Sequence, residues 1–145
     1  MTTKRVGRRS FFVLMSFALL PRLATAAGAR RAGPSPARRT EHPTPRPGIT
    51  AAGVLTANQL KHHSAAEAYE RVREIPQVVD GIHCHCGCAS QKGFYSLLTC
   101  YEAGGMAQYC DICQGEAMLV YKLHREGWSL NGIRASVDAA FGSAS

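Results

Sequence analysis

The sequence predicts a small, mainly α domain of three or four helices, with a cysteine-rich loop packed against the central helix. Three observations carry this. Apolar side chains recur at helical spacing in several blocks after residue 64. No segment alternates convincingly between apolar and polar residues as a strand would. All six cysteines lie between Cys84 and Cys113, which suggests staples for a core that is marginal at this size.

The first third of the chain does not read as part of that domain. A basic start, MTTKRVGRRS, precedes the apolar run FFVLMSFALL and then the small residues ATAAG. This is the layout of an export signal, and the run is too short to span a bilayer comfortably as a helix. Ala24-Thr25-Ala26 fits the A-x-A cleavage rule, so residues 1–26 are expected to be a signal peptide. Arg8-Arg9-Ser10-Phe11-Phe12 resembles a twin-arginine signal, a route associated with proteins exported already folded. Residues 27–50, rich in Pro, Gly and Arg, are expected to be a disordered linker. The domain is expected over 51–145.

The net charge of +7 belongs to the leader and linker, since ten of the 17 Lys and Arg lie at or before Arg46. Residues 50–145 hold seven bases against nine acids, which removes the case for nucleic acid that the whole-chain charge would make. Membrane contact is expected only through the signal segment.

Within the domain, Ser64-Ala-Ala-Glu67 reads as a capping box opening a helix that ends near Ile75, before Pro76. The cysteine segment GIHCHCGC reads as a loop, and Ser96 to Glu102 as a short helix carrying Cys100. Gly104-Gly105 breaks it. Ala107 to Glu126 reads as the longest helix, with Gly127 as its stop. Ser129 is a good N-cap for the last helix, Trp128 and Ile133 occupy the positions of a hydrophobic staple, and Ile133, Val137 and Phe141 face the core.

The cysteines form C-x-C-x-C at Cys84, Cys86 and Cys88, then Cys100, then C-x-x-C at Cys110 and Cys113. On a helix, positions i and i+3 share a face, so Cys110 and Cys113 can present two sulfurs to one metal. Alternate residues of a flat strand lie about 6.6 Å apart. Sulfurs on one tetrahedral ion lie about 3.7 Å apart with bonds of about 2.3 Å. The C-x-C-x-C segment must therefore curl, and Gly87 gives it the freedom to do so. Ligand softness favours Cu(I), then Zn(II), with an iron–sulfur cluster fitting the C-x-C spacing less well. His83 and His85 alternate with the cysteines and are candidate ligands if the curl brings them in.

These blocks resemble the exported bacterial proteins named for a PCYCGC motif. The matching residues are Cys84-His85-Cys86-Gly87-Cys88, Ser96-Leu97-Leu98-Thr99-Cys100-Tyr101, Cys110-Asp111-Ile112-Cys113, Glu116-Ala117, and Gly127-Trp128-Ser129 with Ile133-Arg134. His83 stands where that motif has proline, His85 where it has tyrosine, and Phe94 and Tyr95 where histidines are expected. The resemblance implies an exported metal-binding protein of otherwise unassigned function.

Three functions follow from the cysteines. The first is a periplasmic or extracellular metal-binding protein for storage, delivery or detoxification, with metal ions and a metal-delivery protein as partners. The second is a disulfide-stapled interaction domain, the default for an exported six-cysteine chain. The third is thiol redox chemistry at the Cys110–Cys113 pair, which lacks the expected βαβ context. No paired carboxylates, nucleophile elbow or phosphate loop suggest an enzyme.

Overall fold

The computed structural model describes residues 41–142. The expected signal peptide and residues 27–40 of the expected linker lie outside them. The domain is mainly helical, with four α-helices: α1 (Ala66–Glu74), α2 (Pro76–Val79), α3 (Asp111–Arg125) and α4 (Leu130–Phe141). Short 3₁₀ turns connect them. Among the described residues there is no strand beyond one bridge between Val54 and Glu102. No described helix is long and apolar enough to cross a membrane.

Helix α3 is central and touches α1, α2 and α4. Its buried residues Cys113, Glu116, Ala117, Val120 and Leu123 recur at helical spacing, so one stripe faces the core. Tyr69 and Val72 of α1 and Ile133 and Val137 of α4 close that core. The end of α3 follows its local sequence. Trp128 N donates to Leu123 O at 3.1 Å and Gly127 N to His124 O at 2.9 Å, the two bonds of a Schellman cap. Ser129 caps α4, its hydroxyl accepting from Gly132 N at 3.2 Å. Trp128 and Ile133 line one groove beside Val78, as a staple would place them.

Three helix starts differ from the sequence expectation. Ser64 does not cap α1: it lies inside a 3₁₀ turn, His63–Ala65, that runs directly into the helix. Pro76 ends α1 but also opens α2 at its first position, where its missing N–H costs nothing. The expected helix from Ala107 is divided. Ala107–Tyr109 forms a 3₁₀ turn, Cys110 is extended, and α3 starts at Asp111. Cys100 rides on a 3₁₀ turn, Leu97–Tyr101, whose Leu97, Leu98, Cys100 and Tyr101 are all buried. Gly105 lies so close that a Cβ there would overlap the Cys100 carbonyl.

Residues 41–50, the described part of the expected linker, lie as a strap along the helical body. Arg46 donates from its backbone N to Asp80 at 2.7 Å and from its guanidinium at 2.7 Å. Ser96 Oγ donates to the same fully buried carboxylate at 2.7 Å. Arg134 binds Pro43 O at 2.7 Å, and Tyr95 donates to Thr44 O at 2.6 Å. Low apolar content argued for a free linker; buried acids of the body provide polar anchorage instead.

Candidate metal centre

Five of the six thiols meet between the loop Cys84–Cys88, the Cys100 turn and the start of α3. The loop curls as its spacing demands: Gly87 has φ 86°, in the left-handed region that glycine enters without strain. Cys84 Sγ lies 3.2 Å from Cys86, 3.5 Å from Cys100 and 3.7 Å from Cys113. Cys86 lies 2.9 Å from Cys88 and 3.4 Å from Cys113. Cys84, Cys88, Cys100 and Cys113 are buried and Cys86 is half-buried.

Cys84, Cys86 and Cys113 hold their sulfurs within 4.8 Å of one another. Their edges approach the roughly 3.7 Å expected around one tetrahedral thiolate-bound ion. The cluster can therefore hold a metal ion. All six cysteines are free thiols, as soft-metal ligation requires.

The cluster distributes charge unevenly. Hydrogen bonds from Cys100 first, then Cys113, push the Cys84 thiol far down towards thiolate. Cys86 is pushed up by burial first and then by Cys88. Cys113 is pushed up by its bonds to Cys100 and Cys84. Neighbouring sulfurs cannot all ionise in a buried site, so the central one takes the charge and the others donate to it.

Cys110 stands apart, contrary to the helical i,i+3 pairing with Cys113. As the extended N-cap of α3 (φ −126°, ψ 107°), it is off the helix face that Cys113 shares. It takes no part in the sulfur contacts recorded among the described residues.

Of the two candidate histidines, His85 is taken up by carboxylates and not by the sulfurs. His85 is buried, with Nδ1 2.7 Å from Glu116 Oε1 and Nε2 3.1 Å from Asp138 Oδ1. Both ring nitrogens are engaged, so His85 has no lone pair to offer a metal. Its backbone N donates to the same Glu116 oxygen at 2.8 Å. Burial lowers its pKa, but Glu116 and then Asp138 outweigh this and raise it. Burial pushes Glu116 up to about 7, and its second oxygen, Oε2, has no hydrogen-bond partner.

His83 is half-buried, and its ring lies edge-on to those of His85 and His42. His42, from the strap, accepts from His83 N at Nδ1 (2.9 Å) and lies 3.0 Å from Asp138 through Nε2. The backbone donor fixes the tautomer: Nδ1 is unprotonated and Nε2–H donates. Burial lowers the His42 pKa, consistent with that neutral ring.

Sequence reasoning missed Asp138, His42 and the role of Glu116. One signal was available, because Glu116 is a carboxylate on the apolar face of α3 three residues after Cys113. A buried acid needs a partner. No family model matches the chain, and no curated protein or solved structure matches it either.

Proposed function

We propose that the protein is an exported soft-metal carrier or store that binds Cu(I), and Zn(II) in second place, through Cys84, Cys86, Cys88, Cys100 and Cys113. One observation carries this: five sulfurs from three separate segments form a mostly buried network with neighbouring distances of 2.9–3.7 Å. Buried thiolates without a counter-ion are costly, and a soft cation compensates them. The leader-like residues 1–26 support export to the periplasm or outside. The ordered motif blocks alone support kinship with the PCYCGC-motif proteins. A delivery partner would exchange metal by thiolate ligand exchange, with half-buried Cys86 the most accessible of the five sulfurs.

The disulfide and thiol-redox readings have less support. The six cysteines are free thiols, and Cys110 is not juxtaposed with Cys113 for exchange.

The test is elemental analysis of the full chain recovered from cells grown with added copper or zinc. Stoichiometric copper, lost in Cys84→Ser, is expected. Metal-free protein whose mass is lower by two hydrogens per bridge would overturn the reading.

A further inference from the structure

Cys84 contacts Cys86, Cys100 and Cys113, and the residues on either side of it are held from outside the loop. The backbone N–H of His83 donates to His42 Nδ1 on the strap at 2.9 Å. The backbone N–H of His85 donates to Glu116 Oε1 on α3 at 2.8 Å. These two anchors are themselves joined. Asp138 Oδ1 of α4 lies 3.0 Å from His42 Nε2 and 3.1 Å from His85 Nε2. His85 Nδ1 in turn lies 2.7 Å from Glu116 Oε1. Strap, α4, α3 and loop thus close one ring of hydrogen bonds through the two residues that flank Cys84.

The strap also reaches a second sulfur-bearing segment. Arg46 binds Asp80 through its backbone and its guanidinium. The same carboxylate accepts from Ser96 Oγ, and Ser96 is the N-cap of the turn that carries Cys100. Leu97 N of that turn donates to Ile82 O at 2.8 Å, two residues before Cys84.

We infer that the strap is part of the metal centre, with His42 as a positioning residue that fixes the Cys84 backbone, so that strap docking sets how tightly the sulfurs hold copper. This rests on the metal-binding reading above and adds a regulation of the same site. A loose loop that closes around an ion loses the conformational freedom of every residue it fixes. A loop already pinned at both flanks of its central cysteine has lost that freedom on folding, and the ion meets a prepared site. Groups that orient metal ligands without touching the metal typically change affinity about 10- to 100-fold. Such coupling is reciprocal: a docked strap favours bound metal, and bound metal favours the docked strap. Release of the strap is then a route to release of the metal.

The experiment measures the Cu(I) affinity of the full chain by anaerobic competition with a chelator, and hydrogen exchange of residues 41–50 with and without copper. His42→Ala is expected to weaken binding about 10- to 100-fold. His42→Asn is expected to recover most of that loss, because its amide oxygen stands near the Nδ1 position and accepts from His83 N. In the unaltered chain, copper is expected to slow exchange along the strap. Copper binding that is equally tight in folded His42→Ala, or strap exchange indifferent to bound copper, would overturn the inference and leave the metal-binding reading standing. An Asn variant as weak as the Ala variant would overturn the positioning role of His42. No copper bound by the unaltered chain would overturn both readings. Exchange in the unaltered chain decides the matter where a variant fails to fold, which circular dichroism would report.

Discussion

The loop from His83 to Cys88 has two sides built from alternating residues. Cys84, Cys86 and Cys88 meet Cys100 and Cys113, and soft donors gather. His85 meets Glu116 and Asp138, while His83 receives the strap through His42. Every ring nitrogen of His42 and His85 has a partner inside the protein. The sulfur side is left open to a cation, whereas the protein's own carboxylates, Glu116 and Asp138, engage the rings of His85 and His42. Side-chain type next to a cysteine does not make a ligand; an unengaged lone pair does.

That contrast is broken most severely by removing the carboxylate beneath the loop. Glu116→Ala strands buried His85 against a cavity, and breaking a buried pair costs about 3–5 kcal/mol. Urea unfolding of the reduced, metal-free protein should register a loss of that size, with Glu116→Gln losing less because it keeps a hydrogen-bonding oxygen. A loss under about 1 kcal/mol would mean that His85 is not held as described.

Gly105→Ala strikes the sulfur side instead. The new Cβ would overlap the Cys100 carbonyl, and such overpacking costs about 1–3 kcal/mol. It should displace Cys100 and lower copper binding, as chelator competition would record.

The strap comes next. Arg46→Ala leaves buried Asp80 with Ser96 alone, at a cost of about 1–3 kcal/mol at neutral pH. Burial raises the Asp80 pKa, but the Arg46 bonds outweigh it and the net shift is downward from 3.8. A depressed folded value means that the contribution is complete above 3.8 and fades as pH falls through the folded value. The difference between wild type and Arg46→Ala should therefore hold at pH 7 and shrink in acid. An unchanged gap at low pH would assign the effect to lost packing.

The smallest effect is expected at Cys110→Ser. Copper stoichiometry should stay the same by mass spectrometry, since this thiol lies outside the sulfur contacts. A lost ion would return it to the cluster.

What the sequence made legible was local. Gly127 and Ser129 mark the end of α3 and the start of α4 through bonds spanning five residues or fewer. The curl at Gly87 followed from sulfur spacing alone. The Cys110–Cys113 pairing failed because the spacing of two residues does not say whether both are helical. Cys110 is the last residue before the helix. The histidine side was hidden for another reason. His42 reaches Asp138 across 96 positions and Arg46 reaches Asp80 across 34, and no periodicity in a single sequence encodes such pairs.

The most direct test of the division between the two sides is the copper-edge X-ray absorption spectrum of the loaded full chain. A shell of sulfur neighbours alone, unchanged in His83→Ala, is the expected result. Nitrogen scattering from imidazole, lost in that variant, would contradict it and make the histidine side part of the metal centre.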